Sequence, residues 1–392
     1  MPCYHPNFYL PAYAVYASGF KFLERRLSNL RKTVDAKGLI LKREEYEEIL
    51  EVRPSLDSSF LQVPCGQCIG CRLQRSREWA DRCVLESLEY PLNTCWCVTL
   101  TFSDDAFARR GKDGCLLHPY KVLAVRNEDS MVSERFTLSY GVRELQLFFK
   151  RLRKTFSVFG YDNIRYYYGA EFGSQGQRPH FHLVLFNIGF PDLKVSERCF
   201  SERGELFESE LLNRCWSDNV GSSRSPEYLP IGIAAINRFS WHSAAYCARY
   251  CMKKTTGQAK KDRNAAYTFL DPETSEVVEF GDEFCMMSRK PGIAAKYFED
   301  HKEAIYRTDE VFVPDGGLKV ARRKPCKYFD RLFASDNPFD EEKLAHIKAE
   351  RRAVAIAGRM LELENVTMSD EDYLAVQEQA KIQQITRLIR KL

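Results

Sequence analysis

The amino-acid sequence predicts an α+β fold in which helices pack on a central antiparallel sheet. Three observations lead there. Short β-branched and aromatic runs occur at CWCVTLTF (95–102), RYYYGAE (165–171) and PHFHLVLF (179–186). Stretches of helical period lie before, between and after them. A Gly-containing turn, Gly173 to Gln177, separates the second run from the third, as in an antiparallel hairpin.

Taken in order, residues 1–61 read as an extension, aromatic and turn-rich at first, then charged, with helical spacing in REEYEEILEV (43–52). RLQRSREWADRCVLESL (72–88) is a helix with Leu73, Ala80, Val84 and Leu88 near one face. The strand at 95–102 follows. Residues 103–140, polar and dotted with glycine, read as a long loop or insertion. VRELQLFFKRLRKTF (142–156) is an amphipathic helix with a basic outer face. After the hairpin, residues 188–230 read as a second insertion with a short helix near Leu211. SWHSAAYCARYCMKK (240–254) is helical, PGIAAKYFEDHKEAIYR (291–307) is a turn followed by a helix, and 341–359 and 371–392 are charged helices.

Composition excludes some classes. The chain of 392 residues is 44% hydrophobic and 29% charged, enough to bury a real core. No apolar run reaches the roughly 18 residues of a membrane span, so no membrane partner is expected. MPCYHPNFYL lacks the basic start and apolar block of a secretory signal, and the cytosol is the expected compartment. A net charge of +4 does not by itself announce nucleic-acid binding, although basic residues cluster at 150–154, 322–324 and 387–391. No phosphate-binding P-loop is present.

PHFHLVLF carries the first chemical signal. Side chains alternate along a strand, so His180 and His182 share a face with Val184 and Phe186, while Phe181, Leu183 and Leu185 take the other. Such a strand is central and covered on both sides. Two imidazoles there need partners, and a divalent cation is a natural one. The hairpin returns Glu171 to the same place. A carboxylate beside two imidazoles suits Mg²⁺, Mn²⁺ or Zn²⁺ and leaves positions for a phosphate oxygen. Two hydrogen-bonded core histidines explain HxH equally well taken alone.

The second signal is YCARYCMKK (246–254). Tyr246 and Tyr250 are i, i+4 on a helix, with Lys253 on the same side. A tyrosine hydroxyl can attack a phosphodiester and stay linked to it, helped by a polarised phosphate and a nearby ammonium. Packed aromatics would be the reading if this helix stood alone.

The third is a cysteine triplet. Of 14 cysteines most are scattered, as buried thiols are, but Cys65, Cys68 and Cys71 sit in VPCGQCIGC. Three thiolates need a fourth ligand to close a structural zinc site, and Cys3 or His5 is available. Reduced surface thiols and an iron–sulfur cluster are the other readings.

CVTLTFSDD (97–105), RPHFHLVLF (178–186) and YCARYCMKK (246–254), in that order, resemble the motifs of the HUH endonucleases, and in particular the replication initiator proteins of the microviruses, single-stranded DNA phages, in their gokushovirus branch. VPCGQCIGC with RLQRSREWADRC (72–83) and MSRKPGI (287–293) look like segments of the same family, and the likeness spans roughly 60–300. The resemblance implies an RRM-like or palm-like antiparallel sheet with helical N- and C-terminal extensions. It divides the chain into an extension over 1–61, a nickase domain over 62–260 that includes the cysteine segment 65–71, and a helical tail over 261–392. It also implies nicking of one DNA strand at an origin, leaving a 5′-phosphotyrosine and a 3′-OH that primes rolling-circle synthesis, then a second cut and religation. His180 and His182 would hold Mg²⁺ or Mn²⁺ with Glu171. Tyr246 and Tyr250 would be the nucleophiles, with Lys253 in support, and Thr99 and Thr101 would line the site or simply pack. The implied partners are single-stranded and origin DNA and a host polymerase and helicase, in the cytoplasm of a bacterial host.

Other readings stay open at this point. One is a plasmid replication protein or single-strand transposase of the same class. Another is a non-catalytic, zinc-stabilised nucleic-acid-binding protein whose tyrosines stack on bases. A third is a metal-dependent hydrolase of a small phosphoester.

Overall fold

The computed structural model describes residues 3–11, 14–15, 38–118, 121–124, 133–136, 141–172, 178–197, 205–222, 224–249, 268–270, 277–279, 283–314, 319–336 and 338–389. The chain divides into two compact units, Arg75–Ala353, and Met1–Gln74 together with Val354–Leu392.

The larger unit is built on a seven-stranded sheet: β1 Cys95–Thr101, β2 Arg165–Phe172, β3 Pro179–Phe186, β4 Lys194–Val195, β5 Leu206–Glu208, β6 Ala234–Arg238 and β7 Phe284–Met287. Their order in space is β7-β2-β3-β1-β6-β5-β4, and all neighbours are antiparallel. The sequence expectation of an α+β fold with a flanked antiparallel sheet therefore holds. The β2–β3 pair is the predicted hairpin, with Glu171 opposite His180 and Gly169 opposite His182.

Helices cover both faces. On one side Phe181, Leu183 and Leu185 of β3 join Trp96, Val98 and Leu100 of β1. Helix α2 (Gly141–Ser157) lays Leu145, Phe148, Phe149, Leu152 and Phe156 on them. These are the apolar positions of its 3.6-residue period; Arg143, Lys150, Arg153 and Lys154 are exposed, while Glu144 is buried. On the other side Val184 and Phe186 meet Ala80 and Cys83 of α1 (Ile69–Ser87) and Ala244, Ala245, Cys247 and Ala248 of α3 (Trp241–Arg249). Small side chains let α3 approach β2 and β3 closely. The prediction that β3 is buried on both faces is met.

A buried polar knot fixes the loop that enters α4 (Ala295–Thr308). Arg165 donates to Glu86 at 2.5 Å and to the carbonyls of Pro291 and Gly292. Arg82 donates to the carbonyl of Ile293 at 2.8 Å, and Glu86 accepts from the Ala294 N–H. The MSRKPGI segment is thus tied to the sheet through main-chain groups.

Two expectations need correction. Residues 103–140 are not simply loop: a short helix Asp104–Ala108 begins at Ser103, whose side chain accepts from the Ala106 N–H, and strands Lys121–Ala124 and Ser133–Phe136 pair as a hairpin. Ser-Asp-Asp is an N-cap followed by acids, a signal too short for a periodicity argument. The 188–230 stretch, read as an insertion, contributes β4 and β5 to the sheet as well as the helix Glu210–Cys215 foreseen near Leu211. Strands β6 and β7 were not foreseen either. Gly232, just before β6, is required there, because a Cβ would collide with the Thr101 carbonyl.

In the other unit, strands Asn7–Pro11, Gly38–Leu41 and Leu61–Val63 form a small antiparallel sheet with the first strand central. The predicted helix Arg43–Val52 buries Ile49 against Leu10, Leu39 and Leu41. The charged helix predicted over 341–359 is observed as Pro338–Leu363, which includes the division between the units, and that predicted over 371–392 as Asp370–Ile389.

Candidate active site

The sheet face beneath α3 changes character along the strands. Tyr167, Val184 and Cys97 form one apolar row. The next row is Cys285, Gly169, His182, Thr99 and Ala235. The row after that is Glu171, His180 and Thr101. Polar groups thus gather where the strands leave the helices' cover. Gly169 has no side chain, which leaves the space beside His182 to the reach of Glu171.

His182 is 6% exposed and Glu171 8%. His182 Nε2 lies 3.0 Å from Glu171 Oε1, and its Nδ1 lies 3.1 Å from Thr99 Oγ1. A carboxylate accepts, so Nε2 carries the proton in this arrangement and the Thr99 hydroxyl donates to Nδ1. The hydroxyl can equally accept, which would free the Nε2 lone pair for a cation.

His180 is set differently. Its Nδ1 donates to the Arg178 carbonyl at 2.8 Å. A carbonyl only accepts, so the proton is on Nδ1 and the lone pair is on Nε2, the tautomer of a ligating histidine. Burial lowers the His180 pKa below its ordinary value, which keeps the ring neutral. The two rings are parallel within 8° with centroids 6.4 Å apart. The donor set of two imidazoles and one carboxylate fits a divalent cation. Its atoms are less tightly gathered than the cysteine group described below, whose ligand atoms all fall within 4.8 Å of one another.

Tyr246 meets this site. Ser240 and Ser243 cap the start of α3 reciprocally, through Ser240 N–H to Ser243 Oγ at 2.8 Å and Ser243 N–H to Ser240 Oγ at 3.1 Å. Trp241 Nε1 donates to Asp81 on α1 at 2.7 Å. With its alanines on the sheet, α3 leaves Tyr246 at the border, 43% exposed, its ring edge-on to His182 at 5.2 Å and 87°. Tyr250 and Lys253 lie outside the described residues. Thr101 plays a different part from Thr99: its hydroxyl accepts from the Ile233 N–H and pins the entry to β6.

One acid escaped the sequence reading. Glu283, 5% exposed, immediately precedes β7, whose Phe284 is opposite Ala170 and Cys285 opposite Gly169. Continuing that register by one residue sets Glu283 beside Glu171 on the histidine face. Only long-range pairing reveals this, since 283 is far from 171 in the chain.

The cysteines also converge. Cys3 joins Cys65, Cys68 and Cys71, a group able to hold a metal ion. His5, the alternative fourth ligand, instead pairs with Glu378 at 2.7 Å. Among the described residues no helix is long and apolar enough to cross a membrane.

The chain is 32% identical over 335 residues to replication-associated protein ORF2 of Spiroplasma virus 4, covering 84% of this chain and 85% of that one. It is 24% identical over 289 residues to replication-associated protein VP4 of Bdellovibrio phage phiMH2K, covering 72% and 71%. No solved structure matches it. The family model for replication-associated protein ORF2/G2P matches residues 95–255, from β1 through both histidines and both tyrosines. The chain belongs to this family of phage replication-associated proteins.

Proposed function

We propose that this protein initiates rolling-circle replication by nicking one DNA strand at an origin, as an HUH-type endonuclease and strand transferase. The observation that carries the reading is the meeting of Tyr246 with His182 and Glu171 at the polar end of the sheet face. A tyrosine that is 43% exposed there lies edge-on to His182, one of two histidines suited to a cation.

His180 and His182 would hold Mg²⁺ or Mn²⁺ with Glu171, and the ion when bound supplies Lewis-acid polarisation of the scissile phosphate. The Tyr246 oxygen attacks phosphorus, giving up its proton to a neighbouring base or water. The bond from phosphorus to the 3′ oxygen breaks, and that oxygen leaves as the 3′-OH, so a 5′-phosphotyrosine remains. Tyr250, one helical turn on in the sequence, is the second nucleophile. It cuts the regenerated origin, after which the freed 3′-OH attacks the first phosphotyrosine and religates. Lys253 offsets charge on the phosphate. Such an initiator works in the cytoplasm of a bacterial host on single-stranded and origin DNA. Without a P-loop it leaves unwinding to a host helicase and synthesis to a host polymerase. The cysteine group takes no part in this chemistry: with four protein ligands it has no open position, and it suits a structural ion.

The test is a denaturing gel of the full-length protein with labelled single-stranded fragments tiling its own genome, with Mg²⁺ or Mn²⁺. A metal-dependent protein–DNA adduct is expected, lost in Tyr246→Phe/Tyr250→Phe. Binding without an adduct on any fragment would leave a non-catalytic DNA-binding protein. Turnover of a small phosphoester that survives loss of both tyrosines would make it a hydrolase.

A further inference from the structure

We propose that Cys3, Cys65, Cys68 and Cys71 form a tetrathiolate zinc site that clasps residues 3–5 to the cysteine segment 65–71 and to the C-terminal helix. The inference stands apart from the nicking reading and uses none of its residues.

The spacing is that of a tetrahedron. Cys3 and Cys68 Sγ are 3.8 Å apart, and Cys65 and Cys71 Sγ are 4.0 Å apart. All four sulfurs lie within 4.8 Å of one another. Zinc at about 2.3 Å from each of four sulfurs gives tetrahedral edges of about 3.8 Å. A multi-iron cluster would spread its thiolates over separate irons and set them further apart. All four are free cysteines, partly or fully buried.

A second observation points to the same ligand. Four backbone N–H groups are directed at the sulfurs: Cys65 N–H at Cys3 Sγ (3.2 Å), Cys68 N–H at Cys65 Sγ (3.3 Å), Gln67 N–H at Cys65 Sγ (3.4 Å) and Tyr4 N–H at Cys68 Sγ (3.4 Å). Four thiolates around a divalent ion carry a net charge of −2, and such donors stabilise it. Neutral thiols, weak acceptors, would have no comparable need of them. Loading exchanges four S–H bonds for four Zn–S bonds, and any protons still on sulfur pass to solvent.

The packing says what the ion would hold. Tyr4 and Cys68 are buried with Leu374, a residue of helix Asp370–Ile389, and Ile69 packs against them. Beside them His5 reaches Glu378 on the same helix. Residues 3–5, the segment 65–71 at the start of α1 and the last helix therefore meet around four sulfurs, where binding of the ion counts as folding energy.

The experiment is metal analysis of the full-length protein, reconstituted with zinc under reducing conditions and freed of loose metal. About one zinc per chain is expected, released when a thiol-modifying reagent is added. Cys3→Ser and Cys68→Ser should drop zinc to near zero, while His180→Ala/His182→Ala should leave it unchanged. Because a cysteine variant can misfold, the wild-type chain is also loaded with cobalt. Intense visible bands and a thiolate charge-transfer band are expected, together with amide-exchange protection of residues 3–5 and 370–389 that chelation removes. Zinc retained in both cysteine variants, a weak octahedral cobalt spectrum, iron in place of zinc, or no retained metal would each overturn the proposal. Adduct formation at the histidine site is scored separately, so either idea can fail without the other.

Discussion

At the scale of single residues, the site depends on which nitrogen of each histidine carries a proton. His180→Ala and His182→Ala should each lower metal-dependent adduct yield by roughly 100-fold or more, the several kcal/mol that a Lewis acid contributes. Thr99→Val keeps the shape of the strand but removes the hydroxyl at His182 Nδ1. It should weaken metal affinity about 10- to 100-fold and be partly rescued by raising the metal concentration, read from a titration of adduct against Mn²⁺. A purely structural threonine would show no such rescue. A third histidine gives a pH prediction. His118 is buried between Asp218 at 2.8 Å and Glu144 at 3.5 Å. Burial opposes its charge, but hydrogen bonds and charge from Asp218 and Glu144 outweigh burial and raise its pKa from 6.5 to about 9. The folded-state value is the higher one, so the stabilisation is complete below the ordinary value and is lost as pH rises through about 9. The stability gap between wild type and His118→Gln, measured by urea unfolding, should be widest just below pH 6.5 and shrink as pH rises through about 9. A gap that does not change with pH would show that the ring is neutral.

At the scale of elements, α3 is the part to perturb. Its alanines let the helix lie close to β2 and β3, and that closeness puts Tyr246 against His182. Ala245→Leu should overpack this layer, cost about 1–3 kcal/mol in chemical denaturation, and lower adduct yield by moving the tyrosine off the site. If stability falls while adduct formation is unchanged, the tyrosine's position does not depend on this packing. The helix observed over Trp241–Arg249, within the 240–254 expected, and the histidine strand were both readable in the sequence, because each has a clean period. Strands β6 and β7 were not. At five and four residues, they are too short to show a period, and the rows they complete exist only through pairing with β1 and β2.

At the scale of the molecule, the two faces of the sheet divide the labour. Helix α2 packs on the face opposite the histidines, with Lys150 and Lys154 exposed and the Arg153 guanidinium laid over the rings of Phe149 and Tyr166. Arg151, also in that basic run, donates to the Cys215 carbonyl and serves structure. Lys150→Gln/Lys154→Gln should therefore change adduct yield on a short oligonucleotide by less than about twofold. If these lysines touch DNA phosphates, the salt slope of binding should fall by about 1 for each. A large loss of cleavage on the short substrate would place the scissile strand near α2 instead.

By itself the sequence determined the fold class, the β2–β3 hairpin, the shared face of His180 and His182, and the family motifs. All of these are local: they follow from side-chain alternation, helical period and short-range spacing. The tertiary structure alone decided that Thr99 rather than Thr101 supports a histidine, that buried Glu283 leads into the strand paired with β2, and that Cys3 rather than His5 completes the cysteine group. Each of those outcomes joins residues far apart in the chain. Strand register and the packing of one element on another set them, and no local pattern encodes either.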